Sequence, residues 1–130
     1  MNTRNMTNQE ILARLHPLML AQWARLVQQN PRLAHYPVPT IKLNNRFTRT
    51  AGRMLVESSV VELGTKFIRH SPEFAEEIML ITMPHELCHQ ADYNLHGIPV
   101  GNRWHGPSWQ RLMVSIGLSP EPYHTMDIVK

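Results

Sequence analysis

The sequence predicts an α+β fold: one N-terminal helix, a small three-stranded sheet, a helix carrying a His-Glu-x-x-His pattern, and a C-terminal helix. Three observations carry this. Apolar residues recur at helical spacing from Ile11 to Val27. Short strand-like runs broken by glycine fill residues 40 to 68. Helix starts led by proline follow Ser71 and Gly106.

The first helix is expected from about residue 8 to 29. Thr7 and Glu10 have the spacing of a capping box, and Ile11, Leu12, Leu15, Leu18, Met19, Leu26 and Val27 then fall on one side. Pro17 is expected to kink this helix or split off its first turns, because an interior proline lacks the N–H and clashes with the preceding turn. Pro31, Pro37 and Pro39 mark a loop into extended chain. Strand-like runs follow at Ile41 and Leu43, Met54 to Val56, Val60 to Leu63, and Phe67 with Ile68, with Gly52 and Gly64 as breakpoints. Ser71, Pro72 and Glu73 supply an N-cap, a first-turn proline and an acid favoured by the helix dipole, so a second helix starts there. Pro84 implies a kink or restart, after which the helix runs to about Leu95. Gly97, Pro99 and Gly101 form a loop, and a third helix opens at Gly106 and Pro107 and ends near Gly117. From Ser119 onward a docked tail is expected.

With 130 residues, 42% of them hydrophobic, the chain can bury one core and is short for two. Residues 1–130 are therefore read as a single domain with its core at about 8–118. Cys88 is the sole cysteine, which excludes an internal disulfide framework and a C-terminal zinc ribbon, since both need paired cysteines. No apolar run reaches the roughly 18 residues of a membrane span, and the start from Met1 to Glu10 is polar, so a cytoplasmic or DNA-associated, unsecreted protein is expected. The net charge of +3 is unevenly spread. Arg4, Arg14, Arg25, Arg32, Lys42, Arg46, Arg49 and Arg53 face only Glu10, Glu57 and Glu62 in the first half of the chain. A solvated basic surface and a polyanion-binding face account for such a bias equally well.

His85-Glu86-Leu87-Cys88-His89 lies inside the second predicted helix, where residues four apart share a face one turn from each other. Two imidazoles at that spacing can share one ion. Glu86 sits about 100° around the helix from His85, so its carboxylate can reach a water beside the metal without being a ligand. Leu87 points roughly the opposite way, into the core. The chain holds eight histidines, and chance predicts only about 0.03 such patterns at this composition.

A catalytic zinc site needs a third protein ligand and an open fourth position. Six residues after His89 stands Leu95, which cannot bind metal, and Glu121 in the tail is the sole glutamate after Glu86. His96 and His105 remain, with His124 as an outsider. On a continuing helix His96 lies about 10 Å along the axis from His89, which is too far to share the ion. His105 follows a loop that can fold back, and it is preferred, leaving His96 a capping or surface residue.

Together with His105-Gly106-Pro107-Ser108-Trp109 sixteen residues later, the motif resembles that of the SprT-like, or Spartan-type, zinc metallopeptidase family. The resemblance implies a minimal zincin-like fold in which the third ligand is the histidine of a His-Gly-x-x-Trp element, here His105, Gly106 and Trp109. Thr50-Ala51-Gly52 is similar to part of the family's small sheet. The implied activity is zinc-dependent cleavage of peptide bonds, with Zn2+ held by His85, His89 and His105 and Glu86 as the catalytic acid-base. The implied substrates are DNA-bound or DNA-crosslinked proteins. Lys42, Arg46, Arg49 and Arg53 are the cations that would hold DNA if they share a face. The alternatives are a DNA-independent cytosolic or viral processing peptidase and a non-enzymatic, zinc-stabilised DNA-binding module. The second requires a fourth ligand such as His96 or His124 to close the site.

The remaining conspicuous residues have plainer expectations. Cys88 is read as a small buried hydrophobe and Trp23 as core. Trp109 is expected to hold the third helix against the motif helix, and so to fix His105. Asp92 is read as a solvated helix residue, with orientation of a ligand imidazole as the lesser alternative. Trp104 is a candidate for base stacking or for interior packing. Tyr93, Arg103, Tyr123 and His124 are equal candidates to stabilise an oxyanion.

Overall fold

The computed structural model describes residues 3–122 and residue 126, and its architecture is α+β. Helix α1 (Asn8–Gln29) is closed at its start by the capping box: the Glu10 N–H donates to Thr7 Oγ1 at 3.1 Å, and the Thr7 N–H donates to Glu10 Oε1 at 2.9 Å. Ile11, Leu15, Met19, Trp23 and Leu26 form its buried stripe. Of the two expected outcomes at Pro17, a kink or a split, the split does not occur: α1 runs unbroken through it. Pro17 and Ala13, whose carbonyl loses its helical donor, are both exposed, so solvent can take the place of the missing bond.

Strands β1 (Thr40–Asn44), β2 (Gly52–Leu55) and β3 (Val60–Gly64) form a sheet of order β1-β3-β2. β1 runs parallel to β3, with Ile41 opposite Val61, and β2 runs antiparallel to it, with Met54 opposite the same valine. Gly52, expected as a breakpoint, opens β2 instead. A Cβ there would stand 3.0 Å from both Leu63 Cδ2 and Thr82 Cγ2, so glycine allows the strand to approach the chain that leads into the motif helix. Phe67 and Ile68 are not a strand either: they lie in helix α2 (Thr65–His70) and both are buried. Two adjacent apolar residues have no readable period, and burial of neighbours on one side of the chain suits a helical turn better than a strand, where they would point apart.

Ser71 caps helix α3 (Pro72–Glu77) by accepting from the Phe74 N–H at 3.1 Å. A π-helical turn, Ile78–Thr82, then leads into helix α4 (Met83–His96). The wider turn accommodates Pro84, whose missing N–H and bulky ring fit poorly in a regular α-turn, and the dihedrals at Ile78 and Met83 stay right-handed helical. Helix α5 (Pro107–Ser115) ends just before Gly117, which takes a left-handed φ of 84°. α4 is central, lying against α1, α5, β2 and β3, and every residue from Met83 to Asp92 is buried. Among the described residues no helix is long and apolar enough to cross a membrane.

Candidate metal centre

His85 and His89 project from adjacent turns of α4, and His105 reaches them from the loop ahead of α5. The Nε2 atoms of His89 and His105 are 3.1 Å apart, those of His105 and His85 3.3 Å, and the three possible ligand atoms all lie within 4.8 Å of one another. Nitrogens about 2.0–2.1 Å from a tetrahedral zinc would stand about 3.3–3.4 Å apart, so the donor set fits the ion. Burial favours the ligand form of each ring. It pushes His85 down to about 4, helped by the charge on His105 and opposed by a backbone hydrogen bond to Glu121. It pushes His89 down to about 3, with His85 and His105 adding, and it lowers His105. Near neutral pH the three imidazoles are uncharged and turn nitrogen atoms toward a common point, an arrangement that a cation would stabilise. The three histidines are thus positioned to bind a metal ion, and no further His, Cys, Asp or Glu joins the group among the described residues.

Trp109 holds this arrangement from beneath. Its ring is wholly buried with its centroid 4.8, 5.2 and 4.7 Å from those of His85, His89 and His105, and it stacks on His89 at an interplanar angle of 16°. Its Nε1–H donates to the His85 carbonyl at 3.3 Å, so one side chain of α5 ties down the helix bearing two of the rings. Gln110 Nε2 donates to the His105 carbonyl at 2.9 Å. Gly106 is needed for close approach, since a Cβ there would stand 3.0 Å from the Arg103 carbonyl oxygen.

Glu86 lies beside the cluster, with its Oε2 3.4 Å from His85 Nε2. Burial pushes its carboxyl up to about 8, partly opposed by the Met54 N–H, which donates to it. A cation among the imidazoles would favour the ionised form. Glu86 opens onto a cleft of about 370 Å³, together with His85, Gly52, Ile81, Thr82 and Glu121. The Gly64 N–H donates to the Ala51 carbonyl at 2.8 Å, and the antiparallel alternation then turns the N–H and C=O of Gly52 outward, away from β3. This edge borders the cleft.

The other expected site residues divide. Leu87 and Cys88 are fully buried core, and the thiol is pushed well above its ordinary value by burial and by the carboxylates of Asp92 and Glu86. Asp92 is neither solvated nor paired with a ligand imidazole: it is buried and its Oδ1 meets Nδ1 of His96 at 3.0 Å, while His96 itself is exposed in the last turn of α4. Trp104 is half-buried, with its ring 6.3 Å from that of His89. Tyr93 faces a separate cleft with Tyr36 and Gln90. Arg103 is an exposed loop residue whose carbonyl accepts from the Gly106 N–H. Tyr123 and His124 lie outside the described residues. The Met54 N–H and the Glu121 backbone are main-chain groups with no residue signature in the sequence, and no motif marks Gln110.

The four expected DNA-binding cations are all exposed, and they differ in their partners. Arg53 Nε donates to the buried Glu62 at 2.7 Å and its guanidinium lies 5.3 Å from the Phe47 ring centroid, while Lys42 stands opposite Glu62 in the sheet register. Asn44 Nδ2 adds a 3.0 Å bond to the same carboxylate. Arg46 and Arg49 remain exposed in the loop between β1 and β2, and Arg49 also lines the cleft beside Glu86.

The fold is mixed α+β, and three histidines converge around its His-Glu-x-x-His helix in an arrangement compatible with a metal site. The chain belongs to the SprT-like family, whose profile matches residues 17–126. It is 32% identical over 78 residues to a protein named "Protein SprT-like" from Geobacillus kaustophilus (strain HTA426). That alignment covers 60% of this chain and 48% of the relative, so the matched region spans about half of the relative's length. No solved structure matches the chain.

Proposed function

We propose that this protein is a zinc-dependent endopeptidase. The observation that supports this best is the convergence of His85, His89 and His105 next to Glu86, a buried carboxylate outside the ligand set, at the wall of an open cleft. When bound, zinc in such a site supplies Lewis acidity, polarising a carbonyl and making water acidic enough to ionise near neutral pH. The chain's own residues do the rest. An extended peptide pairs with the outward N–H and C=O of Gly52, which brings its backbone alongside α4. Glu86, held by the Met54 N–H, takes a proton from the attacking water at its carboxylate oxygen and delivers it to the leaving amine nitrogen. Trp109 and Gln110 keep the three rings in place throughout.

Proteins bound to DNA are the proposed substrates, a reading that rests on the family and on the exposed Arg46 and Arg49. Cleavage of a denatured protein by the full chain should stop on removal of metal with a chelator, return with zinc, and rise when single-stranded DNA is added. Cleavage that persists in metal-free protein would overturn the peptidase assignment. A rate indifferent to DNA would leave the peptidase but remove DNA-bound proteins as its particular substrates.

A further inference from the structure

We propose that the groove between the C-terminal ends of α1 and α4 and the outer face of α5 binds phosphate-bearing anions. It encloses about 490 Å³, more than the cleft beside Glu86, and is lined by Arg32, His96, Ser108 and Arg111 together with Leu95 and Leu112. Among the described residues no carboxylate lines it. The cleft at the metal centre, by contrast, contains Glu86 and Glu121, and the cleft beside Tyr93 contains Glu57.

Arg32 and Arg111 are exposed and make no hydrogen bond or ion pair with any described residue. Three other arginines are occupied within the fold: Arg25 donates to the Ile116 carbonyl at the end of α5, Arg53 to Glu62, and Arg69 to Asn8 and to carbonyls of the N-terminal segment. The negative end of α1 would be the natural competitor for Arg32. Asn30 already serves it, with its N–H on the Leu26 carbonyl at 2.9 Å and its Nδ2 on the same oxygen at 3.3 Å. At the end of α4, buried Asp92 holds Nδ1 of His96, which fixes the ring and leaves Nε2 as its other hydrogen-bonding atom.

Among the described residues the groove therefore presents two unpaired guanidiniums from separate elements, an oriented imidazole and a hydroxyl, and the acid next to it, Asp92, is buried and engaged by His96. Guanidinium forks match the oxygens of phosphate bidentately, and two of them spread across a groove of this size suit a chain of phosphates better than a single one. A nucleic-acid backbone and a free polyphosphate share this chemistry. The site is distinct from the Arg46 and Arg49 loop, and it does not depend on the proposed peptidase activity.

Binding of a labelled oligothymidine and of tripolyphosphate to the zinc-loaded full chain, measured across a salt series, tests the proposal. Arg32→Glu with Arg111→Glu should weaken phosphate binding by about tenfold or more and lower the slope of log affinity against log salt by about 2. Arg32→Gln with Arg111→Gln should give a smaller loss in the same direction and serves if the charge reversal disturbs folding. Arg14→Glu, an exposed position of α1 outside the groove, should change affinity by less than about twofold. Binding of both probes assigns the groove to phosphate chains in general, and binding of the oligonucleotide alone assigns it to a nucleic-acid backbone. The proposal is overturned if neither probe binds, if both groove variants bind like wild type, if Arg14→Glu produces the same loss, or if polyglutamate binds as tightly as the phosphate probes. Zinc content and peptide cleavage, read in parallel, separate failure of this site from failure of the peptidase assignment.

Discussion

Residues 83–92 of α4 and residues 42–53 of the sheet are both rich in polar groups, but they treat them in opposite ways. In α4 these groups are buried and engaged: His85 and His89 face His105, the Glu86 carboxylate accepts from the Met54 N–H, Gln90 donates to the Val56 carbonyl at 3.1 Å, and Asp92 meets His96. In the sheet segment the cations are exposed, and a single buried acid, Glu62, draws two of the four to itself. A helix converts spacing directly into angle, so its residues converge wherever the helix is anchored. A strand-loop-strand segment scatters neighbours over different faces, and a residue from another strand decides which charges it engages.

The sharpest way to break this comparison is to remove the ligand that comes from outside α4. His105→Ala should lower zinc affinity by more than about 100-fold, beyond the usual effect of losing a supporting residue, as measured by competition with a chromogenic chelator. Wild-type affinity would mean that α4 alone makes the site. Trp109→Ala should follow, costing about 3–5 kcal/mol of stability in chemical denaturation and about 10–100-fold in zinc affinity, because the same side chain fills the core and fixes the rings. Trp109→Phe should recover most of the packing but lack the bond to the His85 carbonyl, a difference of about 1 kcal/mol. A fall in stability with unchanged zinc affinity would limit Trp109 to packing.

In the sheet segment the effects should be smaller and charge-dependent. Burial pushes the Glu62 carboxyl up, but hydrogen bonds from Arg53 and Asn44 and the charges of Arg53 and Lys42 outweigh it, so its value is lowered below 4.5. A depressed carboxylate stabilises the fold fully above its ordinary value and loses that contribution as pH falls through the lower folded one. Arg53→Ala should cost about 1–3 kcal/mol at neutral pH by leaving the buried acid short of a partner, and should flatten the loss of stability on acidification. Denaturation curves at pH 7 and below pH 4.5 check both. A wild-type acid profile in the variant would show that Arg53 does not set the Glu62 carboxyl.

The same contrast explains what was legible beforehand. The Thr7 and Glu10 cap, the α1 stripe, and the approach of His105 to His85 and His89 were readable because each depends on spacing within a helix or on elimination among few donors. That α1 would not split at Pro17 was not legible, because the cost of an interior proline depends on exposure, which one-dimensional spacing does not contain. Gly52, and Phe67 with Ile68, were misread because close approach and short apolar runs have no period. The pairing of Arg53 with Glu62 required the sheet register, and the pairing of Asp92 with His96 required knowing that α4 continues as far as His96. The Met54 N–H that holds Glu86 required the direction of an edge strand.

The assignment of Glu86 as proton carrier rather than ligand is the central claim, and Glu86→Gln tests it most directly, with zinc content and cleavage of one peptide substrate measured on the same preparation. Glutamine keeps the shape of the side chain and removes its ability to take a proton. The account predicts full zinc occupancy with cleavage reduced by about 10²–10⁴-fold. Wild-type cleavage by the zinc-loaded variant, or loss of the metal along with the activity, would contradict it.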